Sequence, residues 1–181
     1  PADIIKMSNS NFEASLRKGL NIPTETITAS NTSAVTDLNL SNTGVVDLDV
    51  KVLKALTKLK SINLTSNPLS SNAILVQIPE LESAGITVNL GTSVAAKVEL
   101  VAEKPAIPAS LASTTDIVVT VTDASGKLVK RETVDLTVDK GTIQSPAANN
   151  GDGTYTASYV AVDTVGEVQI SAITSNGKFG S

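Results

Sequence analysis

Bond-making chemistry needs groups that ionise, coordinate or attack near neutral pH, and this 181-residue sequence holds few of them. It contains no His and no Cys. The commonest general base, the commonest zinc ligand and every thiolate are therefore missing. Carboxylates remain. In "NNGDGT", Asn149 to Thr154, a single Asp152 stands where a calcium loop of the EF-hand kind holds several acids. Asn-Gly and Asp-Gly there predict a tight hairpin turn, because such turns need positive φ. Asp116, Asp123 and Asp163 stand at predicted strand ends and would hold calcium only by converging on one pole; solvated turn aspartates are the simpler reading. Glu80 and Glu82 flank Leu81, and residues two apart on a helix do not share a face, so they are not read as an acid–base pair. Asn31-Thr-Ser and Asn63-Leu-Thr fit the glycosylation sequon by chance. Lys51, Lys54, Lys58 and Lys60 form a basic flank that Asp47 and Asp49 dilute, which favours solvation over polyanion binding. No catalytic residue, cofactor or metal site is predicted, and the expectation is that the chain is not an enzyme.

The elements that would position these groups follow from composition. Aromatic residues are confined to Phe12, Tyr155, Tyr159 and Phe179, with no Trp, so the core is built from Val, Ile, Leu and Ala. Such side chains suit thin, aligned layers. Residues 1–92 carry 7 Lys/Arg against 8 Asp/Glu, and residues 93–181 carry 7 against 10. No basic stripe tracks phosphates, so nucleic acid is not an expected partner. No apolar run approaches the length of about 20 residues that a membrane span requires. The chain begins at Pro1, which reads as a fragment or a processed form.

The first half repeats. Leu38-x-Leu40, Ile62-x-Leu64 and Ile86-x-Val88 share a pattern at intervals of 24 residues, and five residues after each first position stand Thr43, Asn67 and Gly91. Leu56 and Leu59 precede the second triplet as Leu81 and Ala84 precede the third. Ahead of them, "SNSNFEASLRKGLN" predicts a helix with Ser10 as N-cap, Glu13 as its capping-box partner, and Phe12, Leu16 and Leu20 on one face. In each strand the apolar residues point inward, so the intervening ones line an outer sheet face. The predicted columns are Asp37, Ser61 and Gly85; Asn39, Asn63 and Thr87; and Ser41, Thr65 and Asn89. Asp37, Asn39, Ser61, Asn63, Thr65, Thr87 and Asn89 are the candidate binding face, either simply solvated or a weak polar or glycan-binding groove.

From Val94 the period becomes two. Val98, Leu100 and Ala102 alternate with polar neighbours, as do Ile117, Val119 and Val121; Val134, Leu136 and Val138; Tyr155, Ala157 and Tyr159; and Val168, Ile170 and Ala172. Turn signals at Asp123 to Gly126, Lys140-Gly141, Asn150 to Gly153 and Thr164 to Gly166 separate these runs. Six or seven strands at such intervals predict an antiparallel β-sandwich. Pro105 and Pro108 mark an edge strand or a change of sheet.

Two resemblances follow from these residues. "LTKLKSINLTSNPLS", Leu56 to Ser70, resembles a leucine-rich repeat, with Asn67 at the position of the turn Asn. With its helical cap and the following "ITAS", it is similar to the repeats of secreted bacterial proteins of the internalin kind. The segments "IVVTVTDASGKLV", "VDLTVDKGTI", "NGDGTYTASYVA" and "VGEVQISAIT" resemble the bacterial immunoglobulin-like domains of the invasin and intimin adhesins. Gly126 and Gly153 match turn glycines there, and Tyr155, two before Ala157, resembles the tyrosine-corner residue of antibody domains. The expected architecture is an α+β capped leucine-rich repeat solenoid over residues 1–92, followed by an all-β immunoglobulin-like sandwich over residues 93–181. What the resemblance implies is a non-catalytic, secreted or cell-surface adhesion or protein-interaction module of bacterial origin, meeting a protein or glycan ligand. A structural spacer of a larger surface protein, or an accessory module of an extracellular enzyme, is the alternative.

Overall fold

The structure is a computed structural model that describes residues 4–181. It divides into two compact units, the first ending at Thr92 and the second spanning Ser93–Ser181.

The first unit opens with helix α1, Ser10–Leu20. Its N-cap is Asn9 rather than the expected Ser10: the Asn9 side-chain carbonyl accepts the N–H groups of Asn11 and Phe12, both at 3.1 Å. An Asn caps as well as a Ser, and from one position earlier it takes the role and leaves Ser10 as the first helical residue. Glu13 forms no capping box. It turns along the helix to Arg17, at 2.8 Å. Phe12 and Leu16 are buried and Leu20 packs against the same core.

Three parallel strands follow, β1 (Asp37–Asn39), β2 (Ser61–Asn63) and β3 (Thr87–Asn89), in that spatial order. Helix α2 (Val50–Ala55) links the first pair, and a π-helical turn, Ala73–Gln77, running into helix α3 (Ile78–Ser83) links the second. Each return lays one strand beside its predecessor, as a coil of chain must if successive strands are to stay parallel. Leu38 pairs with Ile62 as the 24-residue interval predicts, but Ile62 pairs with Val88, 26 residues on, and not with Ile86. The cause lies in the second return. There the π-helical turn and α3 occupy eleven residues, where α2 occupies six, and the Ile78 N–H reaches back five residues to Ala73 O. Two extra residues are absorbed before β3 begins. Ile86 is still buried, ahead of the strand, whereas Ala84, expected to match Leu59, is exposed.

Between the strands and the returns runs an aliphatic core that includes Leu38, Leu40, Leu53, Leu56, Ile62, Leu64, Ile78 and Leu81. Helix α1 closes it on the β1 side. A methyl group placed on Gly19 would lie 2.6 Å from Leu40 Cδ2 and 2.9 Å from Asn39 O, so the helix backbone rests directly on that strand.

The second unit is an immunoglobulin-like β-sandwich. Strands β4 (Lys97–Ala102), β5 (Thr114–Thr122), β9 (Thr154–Val160) and β7 (Thr142–Ile143) form one sheet in that order, with β8 (Ala148–Asn149) also paired to β9. Strands β11 (Phe179–Gly180), β10 (Ile170–Thr174) and β6 (Val134–Val138) form the other. If β7 and β8 are taken as one broken strand, seven strands in chain order give the A-B-E-D and G-F-C sheets of a constant-type immunoglobulin fold. Ile117, Val119, Val121, Val134, Leu136, Ala157 and Ala172 meet between them in the core. Pro105 and Pro108 follow β4, an edge strand whose partner β5 lies in the same sheet, so they mark an edge and not a change of sheet.

Candidate binding face

In β1 and β2 the middle residue is buried and the outer two are not, while Val88 of β3 is half-buried between exposed neighbours. The outer residues therefore project from one face. Parallel register sets Asp37, Ser61 and Thr87 in one column and Asn39, Asn63 and Asn89 in the next. Thr65 continues a third column, with the Asn42 N–H donating to its carbonyl and Gly91 packed against its methyl. All seven expected residues lie on this face, but the expected columns are corrected in their third members. Gly85 is not in them; it sits in the turn before β3 with φ +86°. The two-residue lengthening of the second return is the reason.

That correction produces a feature the sequence reading did not anticipate, a column of three asparagines. Each Asn side-chain carbonyl accepts the backbone N–H two residues on: Asn39 from Ser41 at 3.0 Å, Asn63 from Thr65 at 3.0 Å and Asn89 from Gly91 at 2.9 Å. These local bonds fix the amide planes and leave the Nδ2 groups pointing away from the backbone they cap. In the neighbouring column, hydrogen bonds from the Ser61 and Thr36 hydroxyls hold the Asp37 carboxyl below the usual carboxylate range, with nearby Lys60 adding to the effect.

Beneath the turn that follows the face, the Asn67 side chain joins two turns of the chain. Its side-chain carbonyl accepts the N–H groups of Thr43, Gly44 and Val45 at 3.1, 2.9 and 3.0 Å, and its Nδ2 donates to Leu40 O and Leu64 O at 2.8 and 2.9 Å. Gly91, grouped with Thr43 and Asn67 by the 24-residue interval, instead lies at the Thr65 level.

The acidic residues do not converge. Asp116 lies near the start of β5 and Asp123 just past its end, seven residues apart along an extended chain, or about 23 Å. Asp123 caps its own turn, accepting from the Ser125 hydroxyl, the Lys127 N–H and the Ser125 N–H, which holds its carboxyl below the usual range. Asp152 likewise accepts the hydroxyl and the N–H of Thr154 inside the β8–β9 hairpin. Glu80 pairs with Lys54 at 3.1 Å. Asn31 is engaged at both ends, with Thr28 N–H and Thr26 O. Among the described residues no three acids stand together as a metal site, and no helix is long and apolar enough to cross a membrane.

In the second unit, Tyr155 is fully buried; its hydroxyl donates to Val129 O at 2.7 Å and accepts the Glu132 N–H at 2.9 Å. Burial pushes its pKa up to about 12. The antibody comparison is corrected here. Tyr155 lies on the fifth strand of the fold and ties down the connection between the second and third, whereas the antibody tyrosine enters the sixth strand and bonds a few residues upstream. A cavity of about 670 Å³ lies at one end of this unit, walled by Ala102, Ile107, Ile117, Tyr159, Val168 and Ile170. The Tyr159 hydroxyl is buried and has no hydrogen-bond partner among the described residues. The two prolines beside Ile107 were the sequence signal for this irregular edge.

Residues 94–180 match the family model "Invasin, domain 3". The second unit is thus similar to an immunoglobulin-like domain of the invasin kind, as its residues suggested. Among solved structures, the Yersinia pseudotuberculosis adhesin InvE is 26% identical, with 44% of this chain and 22% of that one covered and a TM-score of 0.42. Invasin, described as a bacterial integrin-binding protein, is 20% identical over 49% of this chain and 18% of that one, with a TM-score of 0.44. The D00-D0 domain of intimin is 23% identical over 48% and 45%, with a TM-score of 0.37. The chain spans about a fifth of the length of the first two. A search of curated proteins finds no match.

Proposed function

We propose that this chain is a non-catalytic adhesion or protein-interaction module that acts outside the cell, secreted or held at its surface. The observation that carries the reading is the match of residues 94–180 to a domain of the invasin family. His and Cys are missing from the sequence, and among the described residues the carboxylates with lowered pKa are each tied to hydroxyls and N–H groups of their own surroundings.

The first unit is read as a short leucine-rich repeat with a helical cap, of internalin-like architecture. Three features support this: strands in parallel register at 24 and 26 residues, an Asn that bridges two successive coils, and a helix seated against the outermost strand. In the proposed division of labour the sandwich is a rigid support, and the face bearing Asp37, Asn39, Ser61, Asn63, Thr65, Thr87 and Asn89 meets the ligand.

The test is direct. Fluorescent beads coated with the chain should bind cultured mammalian cells saturably, and soluble chain should compete them off. Binding no greater than that of albumin-coated beads, on cells and on immobilised matrix proteins alike, would sink the proposal.

A further inference from the structure

We infer that the asparagine column of the first unit binds a neutral oligosaccharide laid across the strands. The inference rests on the interaction-module reading above and names the class of ligand that its face would take. Asn39, Asn63 and Asn89 stand in register, each with its side-chain carbonyl already committed to the N–H two residues on. What each has left to offer is an Nδ2 group with N–H donors. Parallel strands repeat at about 4.8 Å, so the column is an evenly stepped row of oriented donors. A chain of pyranose rings advances by a closely similar step and presents ring, glycosidic and hydroxyl oxygens as acceptors along its length. The neighbouring column adds Asp37, Ser61 and Thr87, which accept and donate to sugar hydroxyls.

Charge decides between occupants. The columns hold one carboxylate, Asp37, which stays ionised beside Lys60, and no row of cations that would hold a sulfated or phosphorylated chain. They also contain no aromatic residue and no Arg, the anchors on which protein partners are usually held. A neutral, acceptor-rich polymer is the occupant that remains. Without a ring to stack on, binding rests on hydrogen bonds that compete with water, so the affinity is weak for a single chain and gains from many copies on one surface.

The experiment is titration of the isotope-labelled full chain with cellohexaose, chitohexaose, maltohexaose and a heparin hexasaccharide, followed by NMR. The expected result is saturable shifts of the Asn39, Asn63 and Asn89 side-chain amides with at least one neutral hexasaccharide and none with heparin. Asn63→Asp keeps the carbonyl that caps the turn but removes the donor. It should lower affinity about five- to tenfold, the worth of one net hydrogen bond, while the spectrum stays dispersed. Asn31→Asp, off the face, should leave affinity unchanged. Shifts with heparin alone, shifts confined to other surfaces, no shifts at millimolar sugar, or unchanged affinity in Asn63→Asp would each overturn the inference. Beads that bind cells while no neutral sugar shifts these amides would overturn the sugar assignment and spare the adhesion reading. Sugar binding without cell adhesion would do the reverse.

Discussion

Asn67 and Thr43 lie 24 residues apart in sequence, and the side-chain carbonyl of the first accepts the backbone N–H of the second at 3.1 Å. The same side chain also takes the next two N–H groups of the Thr43 turn and gives its own hydrogens to carbonyls on both coils. One amide thereby supplies the backbone partners that two successive turns lack, where a β-ladder no longer reaches them. The first unit is held by this joint as well as by its aliphatic core.

Replacing Asn67 with Ala is therefore expected to destabilise the first unit by about 2–4 kcal/mol, since several half-buried backbone groups lose their partner at once. Asn67→Asp keeps the acceptor and loses both donors, and should fall between wild type and Ala. Urea unfolding of the chain, followed by amide exchange to assign the loss to residues below 93, measures it. Equal stability of Asn67→Ala and wild type would show the joint to be idle.

Gly19 gives a prediction of unusual sign. Gly→Ala inside a helix ordinarily stabilises by roughly 1 kcal/mol. Here the new methyl group would meet Leu40 Cδ2 at 2.6 Å and the Asn39 carbonyl at 2.9 Å, and a strand backbone does not yield readily. Gly19→Ala should lower stability by about 1–3 kcal/mol, with Asn39 and Leu40 amide shifts marking where α1 is displaced. A rise in melting temperature would mean that the helix does not rest on β1.

These contacts also explain what the sequence could and could not disclose. Alternation of Leu38 with Leu40 and of Ile62 with Leu64 made two strands legible, and the interval between them made their register legible, because period two and a fixed return length follow directly from strand geometry. The third strand broke the rule. Its return carries a π-helical turn, and an added residue in a helix leaves no mark on the apolar pattern that Ile86 and Val88 both satisfy. A slip of two residues keeps the same side chains inward, so the seven residues still share one face while the third entries of the expected columns change. The asparagine column was invisible for that reason alone. In the sandwich, hydrophobic alternation located the strands, but the spacing of Tyr155 to Ala157 does not disclose that Tyr155 lies on the fifth strand of the fold. Short strands β7 and β8, paired to β9 by two residues each, carry too little pattern to be counted from sequence.

Asp49 makes the first unit sensitive to acid. It is buried at the start of α2, and burial alone would raise its pKa; the Ser8 hydroxyl at 2.5 Å, the Ser8 N–H at 2.9 Å and the Val52 N–H at 3.2 Å overcome this and hold the carboxyl below its usual range. A folded-state pKa below the unfolded one means that the unfolded chain takes up protons first as pH falls. The stabilisation is present in full above the usual Asp value near pH 4, and it is lost as pH drops through the folded value. Ser8→Ala should weaken the unit at pH 7 and shrink the difference in stability between pH 7 and pH 3. An undiminished difference would show that Ser8 does not hold the carboxylate.

Tyr155 makes the second unit sensitive at the opposite extreme. Its hydroxyl sits in the sandwich core between Val129 O and Glu132 N–H, and burial raises its pKa from 10 to about 12. The folded form thus keeps its proton where the unfolded form has lost it. The resulting stabilisation is complete below pH 10 and disappears as pH climbs through about 12. Tyr155→Phe leaves a buried carbonyl and a buried N–H without their partner, which should cost about 1–3 kcal/mol at pH 7. Because the variant has no proton to lose there, its stability should fall less between pH 10 and 12 than that of wild type. Absorbance titration near 295 nm (a phenolate marker, about one wavelength for both tyrosines) separates the two by comparison with Tyr159→Phe. A phenolate forming near pH 10 in folded protein, and missing from Tyr155→Phe, would show that this clamp is open to water.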